Sequence, residues 1–63
     1  MRLIDIIEYI SAYDPIKIYI DGDYFGTFEK KDEITYECLK LRLSNIYIVC
    51  NDIRGFIAID LMR

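Results

Sequence analysis

The last third of the chain contains two short segments in which nearly every position is hydrophobic. The first spans residues 45–51 and the second spans residues 55–61. Successive side chains of a strand point to opposite faces of its sheet, so each segment predicts a strand that is apolar on both faces. Helices on one side of the sheet would bury only one of these faces. The pattern therefore predicts that a second molecule packs against the other face.

Two earlier segments have the hydrophobic spacing of amphipathic helices. The first predicted helix spans residues 2–13 and ends at Asp14, because the residue before a proline avoids the helical backbone. The second spans residues 33–43, with Asp32 as its N-cap. Their hydrophobic positions are Leu3, Ile6, Ile7, Ile10 and Tyr13 in the first, and Ile34, Cys38, Leu39, Leu41 and Leu43 in the second.

A β-hairpin is predicted between these two helices. Residues 16–20 alternate isoleucine with Lys17 and Tyr19, which is the period of a strand with one buried face. The Asp-Gly-Asp sequence of residues 21–23 is typical of a hairpin turn, and the return strand is predicted over residues 24–29.

The register of this hairpin has two alternatives. A two-residue turn would place Phe25 and Thr27 beside the buried isoleucines, whereas a three-residue loop would place Tyr24, Gly26 and Phe28 there. We favour the second register because it directs two aromatic side chains and a glycine toward the core.

The resulting order of elements is α-β-β-α-β-β. Consecutive antiparallel strands with helices on one face predict an α+β two-layer sandwich, in which a four-stranded antiparallel sheet carries two helices on one side. We expect residues 1–63 to form a single domain, because neither a linker nor a low-complexity segment interrupts the pattern.

The small size of the chain favours self-association. A domain of 63 residues buries about 60% of its unfolded surface and is expected to be marginally stable. The chain has two cysteines and no histidine, so the usual zinc ligand sets cannot be assembled within it. With 54% hydrophobic residues, a homodimer is the expected source of additional stability.

The charge pattern disfavours direct binding of nucleic acid. Eleven acidic and eight basic residues give a net charge of −3, and the basic residues are scattered rather than clustered. We therefore expect no direct binding of nucleic acid. Charged residues interrupt every apolar run, so neither a membrane span nor a signal peptide is predicted, and we expect a cytoplasmic protein.

Aromatic residues mark the predicted interface. The chain has six tyrosines, and tyrosine combines a large apolar area with a hydroxyl that tolerates a wet rim. We expect the interface on the face turned away from the helices and on the hairpin. Its predicted residues are Tyr19, Tyr24, Phe25, Tyr47, Val49, Phe56 and Ala58.

The residues with reactive side chains favour structural interpretations. Asp21 and Asp23 lack the further oxygen ligands of a calcium loop and are best explained as turn residues. Cys38 and Cys50 are predicted to point inward as small hydrophobic side chains. We therefore expect no enzyme activity and no cofactor.

Residues 1–10, residues 17–22 and the tail over residues 44–61 resemble small acidic accessory proteins of phages and mobile elements of Gram-positive bacteria. This resemblance covers most of the chain and transfers no functional residues. Some proteins of this kind inhibit host defence systems, including CRISPR effectors, by direct binding. The resemblance thus implies a phage-type accessory protein.

These observations lead to a non-enzymatic protein-interaction module that acts as a homodimer, through its open sheet face or an edge strand, by occupying a host protein's surface. The alternative is a protein that sequesters a signalling nucleotide between protomers, with tyrosines stacking on the base and Lys17 or Arg54 near the phosphates. A third hypothesis is a stabilising subunit of a larger assembly.

Overall fold

The computed structural model describes residues 1–10, 15–50 and 55–63, and for residue 50 its backbone. The four strands are β1 (Ile16–Ile20), β2 (Asp23–Phe28), β3 (Arg42–Cys50) and β4 (Gly55–Met62). The described helical segments are 3-10 turns at Leu3–Asp5, Ile7–Tyr9 and Lys31–Glu33 and a one-turn α-helix, α1 (Tyr36–Leu39).

The strands form one mixed sheet in the order β2-β1-β4-β3. β1 pairs with β2 and β4 pairs with β3 in antiparallel fashion, but the central strands β1 and β4 run parallel. The prediction of an all-antiparallel sheet is therefore wrong. Residues 21–54 carry the chain from the end of β1 to the start of β4, which is the long crossover that a parallel pair requires.

The prediction of two helices packed on the sheet is also wrong. Backbone hydrogen bonds between the N-terminus and the start of β3 replace the predicted helical ones. Leu3 N–H donates to Leu41 C=O at 3.0 Å, and Leu43 N–H donates to Met1 C=O at 2.7 Å. The second bond takes groups that the predicted helices need, since Leu43 N–H would donate to Leu39 C=O and Met1 C=O would accept from Asp5 N–H. The Asp5 N–H instead donates to Arg2 C=O at 3.1 Å, which closes a 3-10 turn.

Part of the predicted pattern lies outside the described residues. This applies to Tyr13 and the predicted helix end at Asp14, to residues 51–54 of the predicted C-terminal turn, and to the side chain of Cys50.

The described hydrophobic positions of the predicted helices nevertheless face the core. Leu3 and Cys38 are fully buried, and Ile10 and Ile34 are nearly so. We call residues 1–10 and 31–41 the roof, because their hydrophobic side chains cover one face of the sheet. The amphipathic pattern thus predicted the buried side of these segments correctly and their backbone conformation wrongly.

The roofed face of the sheet, here called the core face, consists of β-branched and leucine side chains. They alternate along the two central strands, as the strand period requires. All are at most 6% exposed: Ile16, Ile18, Ile20, Ile57, Ile59 and Leu61. The parallel pairing places these two rows side by side, with Ile18 opposite Ile59.

The hairpin between β1 and β2 has a two-residue turn. Asp21 and Gly22 both have positive φ, at 51° and 88°, and Ile20 pairs with Asp23. Two consecutive left-handed residues are typical of a type I′ turn, whose twist matches that of the strands it joins.

A β-bulge in β2 then changes the hairpin register. Tyr24 lies opposite Tyr19 next to the turn, but Gly26 lies opposite Ile18, so Phe25 is the extra residue. The favoured register is therefore confirmed for Gly26 and wrong for Tyr24.

Phe28 also follows the favoured register, since it pairs with Ile16 and packs against the core. The ring of Phe25 stacks on that of Phe28, with centroids 6.5 Å apart. Both phenylalanine rings thus belong to the rim of the core face.

The turn geometry generates a stability prediction. Gly22→Ala is expected to lower the free energy of unfolding by about 1 kcal/mol, because a Cβ is unfavourable at positive φ. No atom lies within 4 Å of the added Cβ, so the whole cost is conformational. Urea unfolding followed by circular dichroism measures this difference.

Gly26→Ala is the matched control in the same hairpin. Its Cβ would meet the Phe28 ring at 3.9 Å, an ordinary contact, and its φ is not positive. We expect its stability to stay within about 0.5 kcal/mol of the wild type. Equal losses for the two variants would contradict the type I′ assignment.

A second stability prediction tests the roof. Leu3 is fully buried, whereas the adjacent Ile4 is 43% exposed. Leu3→Ala is expected to lower the free energy of unfolding by roughly 2–4 kcal/mol and Ile4→Ala by less than about 1 kcal/mol. Thermal unfolding curves of both variants check this, and a Leu3→Ala protein as stable as Ile4→Ala would refute the packing of residues 1–10 on the core.

Candidate protein-interaction surface

The second half of β3 exposes four consecutive hydrophobic side chains. The exposed fractions are 38% for Ile46, 44% for Tyr47, 68% for Ile48 and 38% for Val49. Alternation along the strand places Ile46 and Ile48 on one face and Tyr47 and Val49 on the other. We call these four residues the β3 surface.

Ile46 and Ile48 are exposed although they lie on the core face. They pair with Ile59 and Ile57 of β4, which are 0% and 3% exposed. The roof extends over β1, β4 and the beginning of β3, where Leu43 packs against the core. It does not cover the two isoleucines, so the core ends at a strand that is still apolar.

Tyr47 and Val49 lie on the opposite face of the sheet, here called the open face. They pair with Ala58 and Phe56 of β4. Their exposed fractions of 44% and 38% show that they are not covered by the described residues. Both faces of this part of β3 are therefore accessible.

As far as the structure describes the chain, the outer backbone edge of β3 is paired at its start and not beyond it. Arg2 forms an isolated antiparallel bridge with Arg42, and Leu43 N–H donates to Met1 C=O. β3 is the outermost strand on its side of the sheet, so no other described strand lies beside residues 44–50. This segment is a free edge within the described part of the chain.

The direction of the free backbone groups follows from β4. Ile57 N–H donates to Pro15 C=O on the β1 side at 2.9 Å, and Leu61 C=O accepts from Asp21 N–H at 2.9 Å. Because backbone direction alternates along a strand, Ile57, Ile59 and Leu61 direct their polar groups toward β1. Their antiparallel partners on β3 consequently direct theirs toward the outer edge.

Ile46 and Ile48 are those partners, so their N–H and C=O groups point outward. The Ile46 N–H donates to the Oδ1 atom of Asn45 at 2.9 Å. Within the described residues, the Ile46 C=O and both backbone groups of Ile48 remain for a pairing strand.

Five of the seven predicted interface residues lie in three different places. Tyr19 and Tyr24 lie together on the open face, with ring centroids 5.6 Å apart in an edge-to-face arrangement. Phe25 lies at the rim of the core face with Phe28, away from the tyrosines. Tyr47 and Val49 belong to the β3 surface.

The centre of the open face is partly polar. The Lys17 Nζ lies 4.2 Å from the centroid of the Phe56 ring, a cation–π contact. Ala58 is only 1% exposed, and Asp60 is half-buried. The predicted interface residues on β4 therefore offer less accessible apolar area than those on β3.

Sequence reasoning missed Ile46 and Ile48. They alternate with Tyr47 and Val49 along the strand, so they fall on the face that the sequence predicts to be covered by helices. The signal that could have identified them is the length of the apolar segment in β3, which leaves apolar side chains at every position of residues 46–49.

The described residues do not bring together a nucleotide site. The Lys17 ammonium makes a cation–π contact with the Phe56 ring, and Arg54 lies outside the described residues. The shallow hollow between the roof segments is bordered by Lys31, whose Nζ donates to the backbone C=O of Glu8 at 3.1 Å and of Ile10 at 3.4 Å. Nucleotide sequestration stays a prediction from the sequence.

Comparison with protein-family models, curated proteins and solved structures finds no match to this chain. The resemblance to phage accessory proteins thus also stays a prediction. Among the residues described, no helix has the length and hydrophobicity needed to cross a membrane.

The edge geometry predicts alternating hydrogen exchange along β3. In dilute solution the Tyr47 and Val49 amides, which point toward β4, should exchange slowly, whereas the Ile48 amide should exchange at least about tenfold faster. Residue-resolved exchange by NMR measures these rates. Equal protection of all three amides at high dilution would show that the outer edge of β3 is covered within the monomer.

Proposed function

We propose that this chain is a non-enzymatic protein-interaction module that binds its partner by strand addition at the outer edge of β3. The observation that supports this proposal is the β3 surface, where a free backbone edge coincides with four exposed hydrophobic side chains. Strand addition uses both features, because backbone hydrogen bonds provide affinity and the flanking side chains provide specificity.

The sequence of this edge supports a binding role. Exposed edge strands usually carry a charged residue, a proline or a bulge that prevents pairing with other chains. Residues 45–49 contain neither a charged residue nor a proline, and the bulge of β3 precedes them, between Leu43 and Asn45. An unprotected edge of this kind is expected to pair with another strand.

The chemistry of the surface defines the strand that fits. Ile46 and Ile48 flank the edge on the core face, and Tyr47 and Val49 flank it on the open face. A partner strand must therefore be apolar on both of its faces. As a phage-type accessory protein, the chain would inhibit a host protein by occupying such a strand or the surface beside it.

A charge on this edge is expected to weaken binding. Ile48→Lys removes the burial of an isoleucine, which contributes about 1.5–3 kcal/mol, so affinity should fall by roughly ten- to a hundredfold. Ile48 is 68% exposed in the monomer, and the substitution should leave the fold intact. The measurement is capture of a differently tagged second copy and, separately, of proteins from a Gram-positive lysate.

Ile4→Lys is the matched control, since Ile4 is also exposed, at 43%, but lies on the roof. It should capture the same partners as the wild type, and circular dichroism should show all three proteins folded. If Ile48→Lys retained every partner captured by the wild type, or if no partner were captured in either arm, the proposed function would be wrong.

A further inference from the structure

We infer that the partner at the β3 edge is a second copy of this chain, paired antiparallel about a two-fold axis at Tyr47. The inference rests on the proposed function and names its partner. The four strands of each copy would then form one continuous sheet, with both roofs on the same side.

The N-terminus limits where a second strand can lie. Residues 1–3 already pair with β3 as far as Leu43, so the free edge runs over residues 44–50. Tyr47 is the midpoint of this segment. A two-fold axis at Tyr47 pairs residues 44–50 of one copy with residues 50–44 of the other and uses the whole free edge.

Other axis positions fit less well. An axis at Ile46 would set Arg42 of one copy opposite residue 50 of the other, where Arg2 already lies. An axis at Ile48 would leave Ser44 and Asn45 without a β3 partner. An axis between two residues would set an outward-directed backbone against an inward-directed one, which prevents the ladder of hydrogen bonds.

The axis at Tyr47 satisfies the backbone. Ile46 of one copy lies opposite Ile48 of the other, and both direct their N–H and C=O groups outward. The Ile48 N–H groups can donate to the Ile46 C=O groups without rearrangement. The Ile46 N–H groups can pair in return once they leave the Oδ1 atom of Asn45.

The side chains are complementary as well. Isoleucine meets isoleucine on the core face, and Tyr47 meets Tyr47 of the second copy on the open face. No charged side chain occurs over residues 43–50, so the repulsion between two chains of net charge −3 is not concentrated at this contact. The strand that is apolar on both faces, which the β3 surface requires, is β3 itself.

The test uses a disulfide across the axis. Residues opposite each other in a non-hydrogen-bonded antiparallel pair have Cα atoms about 4.5 Å apart, within the range that a disulfide bridges. Tyr47→Cys, made together with Cys50→Ser, is expected to form a covalent dimer under oxidised glutathione. Non-reducing electrophoresis and mass spectrometry measure the yield.

Val49→Cys in the same background is the matched control, because it lies on the same face of the same strand. Across an axis at Tyr47 its two copies are four residues apart, or about 14 Å, beyond the reach of a disulfide. We expect at least about tenfold less covalent dimer from Val49→Cys than from Tyr47→Cys. Equal yields, or none from Tyr47→Cys, would overturn this register.

A measurement on the unmodified chain guards against a loss of pairing caused by the Tyr47→Cys substitution itself. Light scattering over a concentration series should give twice the monomer mass for the wild type and for Ile4→Lys, and the monomer mass for Ile48→Lys. The Ile48 amide should become protected as the dimer forms. A wild type that stays monomeric at millimolar concentration would overturn the inference, and the proposed function would still stand if Ile48→Lys lost a different protein.

Discussion

The parallel pairing of β1 with β4 is the constraint on which the rest of the structure depends. It sets two rows of buried side chains beside each other, from Ile16 beside Ile57 to Ile20 beside Leu61. Because these two strands occupy the centre, β2 and β3 must be the edges. The connection between them must also cross from one end of the sheet to the other, and its residues 31–41 supply half of the roof. One pairing thus determines the core, the edges and the cover.

The sequence predicted where side chains are buried better than it predicted the backbone. Leu3 and Ile34 face the core as their spacing indicated, yet their segments form single turns rather than helices. Hydrophobic spacing shows only that one side of a segment is apolar, and the first segment is rich in isoleucine, whose branched side chain disfavours helices. The bond from Leu43 N–H to Met1 C=O, which takes groups that the predicted helices need, joins distant parts of the chain. Local patterns contain no information about them, nor about the parallel partner of β1 or the bulge at Phe25.

The candidate surface was predictable only in part, because the hydrophobic pattern shows which side chains are apolar and not what covers them. Composition and the two-sided apolar pattern indicated that some face of the C-terminal strands would be left accessible, and Tyr47 and Val49 are accessible. The sequence did not indicate how far the roof extends over the sheet. Two full helices would have covered all four strands, whereas single turns reach only the beginning of β3, so Ile46 and Ile48 are exposed as well. The site therefore changes from a face of the sheet to an edge with two accessible faces.

The two edges of the sheet differ in a way that favours a closed assembly. On β2, Phe25 bulges out of the ladder, Asp23 adds a charge, and the Tyr24 hydroxyl bonds to Thr27, so this edge is irregular. On β3 the free segment is uncharged, regular from Asn45 onward, and bounded on one side by residues 1–3. Pairing β3 with β2 of another copy would propagate into an open filament, whereas pairing β3 with β3 consumes the competent edge of both copies. The asymmetry of the edges thus permits association while limiting it to two chains.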